Sequence, residues 1–393
     1  MKVRSIVLFI LLISVSISFS QNKIEKVIFK DQIINYGKTT VDDPEIIRLQ
    51  GGRVILKKVT VPKFKKGTDV NIKLSLRSNG DKWDKSGSCF VITNPDDISF
   101  LNIAEAKAEF PKDSYVNEKH GGVKATENYK PVVELLRFMT PFGVGHYSND
   151  KVKHRKPVYV PKWEKEVVWN EDISDLESIV SDTFYVGVWI DTWTKVGYKI
   201  DLSLSYSGRP KTQRNVIPLI NVVSYVKGQA LPYFFAEGPL EYTFNLDKNI
   251  KNAKLHYITT GHGGHSGGDE FIKIKNSVLF NEKTVIDTIP WRDDCASFRR
   301  FNPTSGVWLR KDSTYYRDRK AKTYKIKEIE ERLASSDLSR SNWCPGSKVT
   351  PYVAELGDLK LGEQNLTISI PATKAEKDKT NHWLVSAYIT YER

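Results

Sequence analysis

Apolar and polar residues alternate along most of the chain, with a repeat of two positions. The alternation is regular over Val70–Arg77, Ile200–Tyr206, Leu240–Leu246 and Leu366–Ile370. Because successive side chains of a strand point to opposite faces, this repeat predicts half-buried strands of antiparallel sheets. Turn sequences such as the one at 78–81 separate the alternating segments. Many short strands with few helices predict an all-β fold of sandwiches or barrels.

A few segments depart from this alternation. Lys325–Leu338 has the pattern of a helix, and Asp175–Val180 has that of one or two helical turns. Residues 102–132, 144–166 and 306–337 are charged and only weakly periodic. We interpret these three stretches as surface insertions between strands.

The first twenty residues predict export. Basic residues at the start precede the apolar run Ile6–Ile13, and the small residues Ser18 and Ser20 follow it. This pattern is typical of a cleavable secretory signal, with cleavage after Ser20. A spanning helix needs about 20 apolar residues, so the run is too short for an anchor. We expect a secreted or periplasmic protein without a membrane anchor, and residues 1–20 contribute nothing to the fold.

The chain is long enough for more than one domain. Its 393 residues, less the signal, correspond to two or three domains of about 150 residues each. The polar segment Ser207–Gln213 contains Gly and Pro and follows a regular strand pattern. We therefore predict an N-terminal β domain over 22–207 and a C-terminal β domain over 214–393.

Charge and cysteine content narrow the partners and the compartment. The net charge is +13, but the basic residues are spread without a nucleic-acid motif, so we expect no nucleic-acid partner. Three cysteines allow three pairings, and outside the cell two are normally paired. Cys89 lies in a strand-like run, whereas Cys295 and Cys344 lie in turn-rich segments. These contexts favour a Cys295–Cys344 disulfide, with Cys89 free.

Two aspartates stand out because each lies at a break in a strand pattern, beside tryptophan. Asp84 follows Trp83 in the connection after a strand, where an aspartate can equally cap its own loop. Asp191 shares one face of a strand pattern with Trp189 and Trp193. An aromatic face with one carboxylate suits a sugar, although packing at a strand end accounts for it equally well.

A glutamate also enters a strand pattern. Glu270 precedes Phe271–Lys275, which we interpret as a strand that places Ile272 and Ile274 on the same face as Glu270. A carboxyl group that enters an apolar face is partly desolvated, which raises its pKa and suits proton transfer. The alternative is a glutamate at a strand start that turns back to solvent.

Histidines near this glutamate raise the question of a metal. His256, His262 and His265 beside an acidic residue are the right ligand types for zinc or copper, but their spacing matches no metal motif. A copper monooxygenase would need His and Met ligands in both domains, and the chain has 7 His and 2 Met. We expect no metal and no cofactor.

Several short motifs together resemble the peptide-N-glycosidase F family. The C-terminal half contains, in order, Thr259-Thr-Gly-His-Gly-Gly, Asp269-Glu-Phe, Trp291-Arg-Asp-Asp-Cys295, Phe301-Asn-Pro, Val307-Trp, Arg340-Ser-Asn-Trp-Cys-Pro-Gly346 and His382-Trp-Leu-Val-Ser-Ala-Tyr388. The N-terminal half contains Trp83-Asp84, Leu136-Arg-Phe-Met-Thr-Pro-Phe142 and Asp191-Thr-Trp193. The resemblance covers most of the chain except the insertions, and the ordered set is more specific than any single motif.

The resemblance implies a fold and a reaction. The fold would be two adjacent antiparallel eight-stranded jelly-roll domains with the active site at their interface. The reaction would be metal-free hydrolysis of the amide between asparagine and the innermost N-acetylglucosamine of an N-linked glycan, giving aspartate and a glycosylamine. Substrates would be N-linked glycoproteins or glycopeptides, and we expect a monomer. The resemblance also supports the Cys295–Cys344 pairing.

The resemblance further implies roles for particular residues. Asp84 matches the catalytic aspartate of the family, Glu270 its active-site glutamate, and Arg340 an arginine near the catalytic aspartate. Asp191 completes the expected catalytic set. The residues expected to contact the substrate are Trp83, Lys85, Trp193, His262 and Trp343.

Two positions of the expected site depart from the family pattern. Asp191 stands where the family has glutamate, which shortens the side chain by one methylene. Lys85 stands where the family has arginine, which removes a bidentate interaction. The insertions at 102–132 and 306–337 lie where they would crowd the cleft. An alternative function is therefore an N-glycan-binding protein with weak or no catalysis on the same scaffold.

Overall fold

A computed structural model gives the architecture of most of the chain. The predicted signal, with its cleavage after Ser20, lies outside the described residues, as do His265 and most of the insertion at 144–166. Within 307–373, side chains are described for 311, 313–329 and 334–373. The described residues are 23–37, 43–62, 64, 67–118, 120–143, 160, 162–208, 212–223, 225, 234–263, 268–305, 307–373 and 381–392.

The N-terminal half forms two antiparallel sheets that face each other. Its strands are β1 (Lys23–Ile34), β2 (Ile46–Leu49), β3 (Val54–Thr60), β4 (Asp69–Ser78), β5 (Ser86–Ile92), β6 (Val133–Met139), β7 (Val167–Asp172), β8 (Thr183–Ile190) and β9 (Tyr198–Ser207). One sheet has the order β1-β9-β4-β7, and the other contains β6-β5-β8-β3-β2. The alternating apolar residues of β4 and β9, such as Ile72, Leu74 and Leu204, are fully buried between the sheets.

The C-terminal half repeats this arrangement with its own core. Two sheets have the orders β10-β20-β12-β18 and β11-β19-β13-β14. The strands are β10 (Arg214–Val222), β11 (Leu240–Leu246), β12 (Ile250–His262), β13 (Asn276–Phe280), β14 (Lys283–Thr288), β15 (Val307–Asp318), β16 (Thr323–Ala334), β17 (Lys348–Val349), β18 (Tyr352–Leu359), β19 (Gly362–Ser369) and β20 (His382–Glu392). Two short α-helices, α1 (Phe100–Ala104) and α2 (Phe234–Glu237), occur among the described residues.

Most strands predicted from alternation are confirmed, and the long helix is wrong. The segments at 70–77, 200–206 and 240–246 lie in β4, β9 and β11. Asp175–Val180 overlaps a 3-10 helix at Ser174–Ile179. Lys325–Leu338, in contrast, lies mainly in β16, which pairs with β15 over all 12 residues of each strand. Apolar residues spaced three and four apart in this segment suggested a helix, but cross-strand pairing with the tyrosines of β15 determines its structure.

The count of eight strands in each domain is not confirmed. Among the described residues, the two facing sheets of the C-terminal half contain eight strands, and those of the N-terminal half contain nine strands of that half. The hairpin of β15 and β16 forms a separate two-stranded sheet. The boundary near Ser207–Gln213 falls between β9 and β10 and stays a prediction.

The two halves are joined by a strand pairing and by hydrogen bonds to a buried ion pair. β17 comes from the C-terminal half but pairs with β6 in the N-terminal half, at Lys348↔Phe138 and Val349↔Arg137. Arg137 pairs with Glu134 in the same strand and donates to Leu384 O of β20 at 2.5 Å. Ser386 of β20 donates to Glu134 Oε1 at 2.6 Å. Because buried charges need partners, this network fixes how the halves meet.

The cysteines follow the expected pattern. Cys295 and Cys344 form a disulfide, with their Cα atoms 5.1 Å apart, and Cys89 is free and buried in β5. The disulfide joins the segment before β15 to the segment before β17, which also carries Arg340. Among the described residues, no helix has the length and apolar character that crossing a membrane requires.

Candidate active site

The loop after β4 carries Asp84 and is held by a second, buried aspartate. Asp81 is 0% exposed, and its carboxylate accepts hydrogen bonds from Thr192 Oγ1 at 2.6 Å and Thr194 Oγ1 at 3.2 Å. It also accepts from the backbone N–H of Trp83 at 3.1 Å. The loop is therefore tied to the connection between β8 and β9, which carries Asp191.

The residues on either side of Asp84 are fixed through their backbones. Tyr198 donates its hydroxyl to Trp83 O at 2.5 Å, and Thr140 Oγ1 accepts from the N–H of Lys85 at 2.8 Å. The C-terminal half adds a contact, since Thr304 Oγ1 donates to the carbonyl of residue 82 at 3.2 Å. These bonds hold the backbone on either side of Asp84 in a set position at the junction of the two halves.

Glu270 lies in a 3-10 turn, Asp269–Phe271, between β12 and β13. Its neighbour Asp269 is fully buried and accepts from Trp383 Nε1 at 2.9 Å, which anchors the turn to β20. The strand predicted over Phe271–Lys275 is wrong, because β13 begins only at Asn276. The burial of Glu270 therefore comes from the anchored turn and not from the apolar face of a strand.

Arg340 is the cation of a cluster that we call the centre, formed by Asp84, Glu270 and Arg340. Arg340 is 2% exposed. Its Nε donates to Glu270 Oε1 at 2.8 Å, while Nη1 and Nη2 donate to Leu338 O and Ser335 O, both at 2.7 Å. The guanidinium also lies over the ring of Trp343, 4.9 Å from its centroid. Each nitrogen of the guanidinium thus has a protein partner, so its orientation is strongly determined.

The two acidic residues of this centre have shifted pKa values. Burial raises the pKa of Glu270 to about 7, and the negative charge of Asp84 adds to the rise, while Arg340 opposes it. Burial also raises the pKa of Asp84, against the opposing charges of Arg340 and Lys85. Two carboxyl groups near one guanidinium, with raised pKa values, can hold one proton near neutral pH.

A second cluster, which we call the rim, surrounds Asp191. Arg53, which directly precedes β3, donates from Nη1 to Asp191 Oδ1 at 2.9 Å. The same guanidinium lies 4.0 Å from the ring centroid of Trp193, and Trp193 contacts Tyr36 at a centroid distance of 5.1 Å. Arg53 therefore holds a carboxylate and an indole in one arrangement.

The rim is electrostatically linked to the centre. Partial burial raises the pKa of Asp191, and the charges of Arg53, Lys85 and His382 oppose that rise. Lys85 acts in the same direction on the pKa of Asp84. A single lysine therefore influences both carboxylates, and His382 brings the C-terminal half to the rim.

Two family models match the chain, one after the other. The model described as "Peptide-N-glycosidase F, N terminal" matches residues 26–206, and "Peptide-N-glycosidase F, C terminal" matches residues 230–390. The chain belongs to the peptide-N-glycosidase F family. The resemblance found in its motifs is thus confirmed. Among curated proteins, none matches the chain.

Solved structures of this family agree with the fold. PNGF-II shares 33% sequence identity with this chain, and its structure superimposes with a TM-score of 0.81. The match covers 94% of this chain and 66% of PNGF-II. The chain thus spans slightly under two thirds of that protein. PNGase F, described as a glycosylasparaginase from Flavobacterium meningosepticum, is 14% identical with a TM-score of 0.58, over 94% of this chain and 96% of that one. The all-β, two-domain fold class is confirmed.

The structure separates the predicted substrate-contacting residues of this family member into two groups. Trp83 and Trp193 are 62% and 57% exposed, which leaves indole faces available to a ligand. Trp343 is 2% exposed and donates to Gly261 O at 2.8 Å. His262 is 6% exposed and stacks on Trp343. Trp343 and His262 are therefore packed side chains, with Trp343 directly against Arg340, and their contact with substrate stays a prediction.

Three residues that position the site were not found from the sequence of this family member. Asp81 lies in a turn motif that indicated only a turn, and Asp269 is adjacent to Glu270, which the strand pattern and the family motif indicated. Arg53 contacts Asp191 across 138 positions of sequence, and no local pattern predicts such a pair.

The described residues of this family member contain no group of three or more His, Cys, Asp and Glu placed to hold a metal ion. That the reaction needs no metal stays a prediction. His256 accepts or donates a hydrogen bond with Thr390 Oγ1 at 3.0 Å and stacks on Tyr388. Burial lowers its pKa to about 4. His256 is thus a packed core histidine, apart from the centre formed by Glu270 and Arg340.

Proposed function

We propose that this protein is a glycoamidase that hydrolyses the amide between asparagine and the innermost N-acetylglucosamine of an N-linked glycan. The products would be a glycosylamine and a peptide in which aspartate replaces asparagine. The observation that carries the proposal is the Glu270–Arg340 ion pair, buried where the two halves meet and electrostatically linked to Asp84. Membership of the peptide-N-glycosidase F family supports the same reaction class.

The proposed mechanism divides the work between the two carboxyl groups. Asp84 in its ionised form accepts a proton from the attacking water, which adds to the carbonyl carbon of the amide. Glu270, whose pKa of about 7 leaves it partly protonated near neutral pH, supplies a proton to the leaving nitrogen. Raised pKa values in one enclosed centre are the arrangement expected for proton transfer.

Arg340 acts in this proposal as a positioning cation. Three of its nitrogens already donate to Glu270, Leu338 and Ser335, and its side chain is 2% exposed. It therefore orients Glu270 and lowers the pKa of both acids, and we do not assign it a contact with the developing oxyanion. An exposed arginine, in contrast, would have N–H groups free to donate to the oxyanion.

The exposed tryptophans are proposed to bind the sugar next to the scissile bond. The flat apolar faces of Trp83 and Trp193 can stack on the C–H faces of a sugar, and Asp191 can accept from its hydroxyl groups. The positive charge of Lys85 opposes the rise in pKa of both Asp84 and Asp191. We propose that these residues orient the glycan while the centre acts on the amide.

The proposal includes a setting for the reaction. N-linked glycans occur on exported proteins, so a protein that acts on them is expected outside the cell or in the periplasm, as the N-terminal sequence predicts. We further propose that the protein acts as a monomer and needs no metal ion or cofactor.

Mass spectrometry of a glycopeptide in heavy-oxygen water tests the reaction directly. We expect free glycan and a peptide in which aspartate has gained one heavy oxygen, because water attacks the carbonyl carbon. If native and denatured glycoproteins both keep their glycans after incubation, the proposed activity is wrong.

A second candidate function is glycan binding with little or no catalysis. The rim favours it, since Arg53, Asp191 and Trp193 form a partly exposed, ordered surface that requires no chemistry. Glycan-array binding without turnover of any glycopeptide would support this candidate over the amidase.

A further inference from the structure

The hairpin of β15 and β16, which we call the ribbon, presents an exposed aromatic face. Tyr315 pairs with Ile326, and Arg317 pairs with Tyr324, so these four side chains lie on one face. Tyr315, Tyr324 and Ile326 are 73%, 69% and 62% exposed. Apolar side chains grouped on an exposed surface of this kind commonly mark a binding surface.

The outer end of the ribbon is strongly basic. Between 317 and 327 it carries the exposed cations Arg317, Arg319, Lys320, Lys322, Lys325 and Lys327. Asp318 is the acidic residue of this stretch, and it is occupied by an ion pair with Lys325 at 2.6 Å and by backbone N–H groups of the turn. The charge of the outer end therefore complements an anionic partner.

The inner end of the ribbon is attached to the candidate active site. Just before β15, Thr304 donates to the carbonyl of residue 82, two positions from Asp84. Just after β16, Ser335 O accepts from Arg340. Strands of 12 residues reach roughly 40 Å at about 3.3 Å per residue. A glycan whose amide bond is held at Asp84 and Glu270 would therefore begin close to the residues from which the ribbon starts.

We propose that the ribbon is a second substrate-binding arm that recognises acidic sugars, those bearing a carboxylate or a sulfate, on the branches of the glycan. This inference rests on the proposed function. Tyr315 and Tyr324 stack on sugar rings, and the basic side chains pair with the acidic groups. A lipid surface fits less well, because Ile326 is the one large aliphatic group that is exposed among the ribbon side chains that the structure describes, and the neighbouring aromatic rings carry hydroxyl groups.

Matched glycopeptides that differ only in acidic sugars test the arm. One variant combines Arg319→Gln, Lys320→Gln and Lys322→Gln, and another combines Tyr315→Ser and Tyr324→Ser. The control removes three exposed charges elsewhere, at Lys26, Lys30 and Lys73, each to Gln. For a sialylated glycopeptide we expect kcat/KM to fall roughly fivefold in both ribbon variants at low salt, as a few exposed contacts predict. With the desialylated peptide, and in the control variant with either peptide, it should stay within about twofold.

A binding measurement separates failure of the arm from failure of the amidase. Asp84→Asn protein is titrated with free sialylated, sulfated and neutral glycans, and the sialylated and sulfated arms show which anionic group is preferred. Binding of acidic glycans that the ribbon variants lose supports the arm even if no peptide is cleaved. Equal effects of ribbon and control variants overturn it. So does ribbon-dependent binding to phosphatidylserine vesicles without binding to acidic glycans.

Discussion

The centre and the rim of the candidate site use the same residue types in different surroundings. In the centre, Glu270 and Arg340 form an ion pair with side chains 11% and 2% exposed. In the rim, Arg53 and Asp191 form an ion pair at a similar distance, but the Asp191 side chain is 41% exposed. Water is therefore largely excluded from the first pair and reaches the second.

This difference assigns different work to the two clusters. Enclosure raises the pKa of Glu270 to about 7, within the range useful for proton transfer, at the cost of burying charges. The rim keeps solvated charges beside an exposed indole, Trp193, which suits recognition of a sugar. We therefore expect changes in the centre to lower kcat and changes in the rim to raise KM.

The largest effect is expected from Asp84→Asn. Without a carboxylate to accept the proton of water, kcat should fall by roughly 10²–10⁴, the usual contribution of a general base. Steady-state kinetics on one glycopeptide measure this, with thermal unfolding as a check that the variant is folded. The matched variant Asp191→Asn should lose less than tenfold in kcat. If the two aspartates cost the same, the division into centre and rim is wrong.

Removal of the buried cation tests the energetic side of the comparison. Arg340→Met leaves Glu270 enclosed without its partner, so we expect a loss of about 3–5 kcal/mol in the free energy of unfolding at pH 8. Denaturant unfolding measures it. Arg53→Met removes the cation of the rim pair, whose Asp191 carboxylate is 41% exposed and stays solvated, and should cost within about 1 kcal/mol. Equal losses for both arginines would show that the centre is as solvated as the rim.

The raised pKa of Glu270 predicts a direction for the effect of pH. A folded-state pKa of about 7, against about 4.3 in the unfolded chain, means that the folded protein binds this proton more tightly. Its contribution to stability is therefore complete below about pH 4.3 and is lost as pH rises through about 7. Relative to Glu270→Gln, the melting temperature of the wild type should fall over that interval.

The same titration should appear in the kinetics. If the protonated Glu270 donates its proton to the leaving nitrogen, kcat/KM of the wild type declines as pH rises through about 7. Glu270→Gln should be slower and should lack this decline. A decline that persists in the variant would assign the titrating group elsewhere.

The sequence predicted the sheets well because a repeat of two is a local property. Strands such as β4, β9 and β11 bury one face in a sandwich, so alternation alone locates them. The repeat fails where both faces of a strand are exposed. In β16, apolar residues such as Ile326 and Ile329 are spaced like a helix, and only the pairing with β15 makes the segment a strand.

The site was predicted in part, and the missing part consists of long-range contacts. Asp84 and Glu270 were identified by their motifs, and their roles remain predictions. The residues that hold these two acids in place were not identified, because their contacts join distant parts of the chain. Asp81, for example, bonds to Thr192 across 111 positions. Trp343 was expected to contact the substrate, and its 2% exposure was not foreseen, since a tryptophan in a motif does not reveal whether its ring is buried. Burial and distant pairing are properties of the folded chain.

A smaller effect is expected from the cation of the rim. Arg53→Met removes the hydrogen bond to Asp191 and the contact with Trp193, so both become less ordered while Asp84 and Glu270 are untouched. KM should rise roughly fivefold with kcat within about twofold, consistent with the loss of one exposed ion pair and one cation–π contact. Arg53→Lys keeps the charge but not the planar group and should recover only part of the loss. A fall in kcat without a change in KM would contradict a positioning role in the rim.

The smallest effect, and the finest test of the comparison, is expected from Asp191→Glu, which restores the residue that the family pattern has at this position. The longer side chain carries the carboxylate about 1.5 Å further from the backbone, and the 41% exposed position leaves it room to bend back towards Arg53. KM should therefore change by less than about threefold and kcat should not change, as expected for an exposed ion pair. A residue that takes part in the chemistry would respond differently, because a displacement of this size at a reacting group costs about 10²-fold. If kcat changes by tenfold or more in either direction, Asp191 belongs with Asp84 and Glu270, and the rim is part of the catalytic centre.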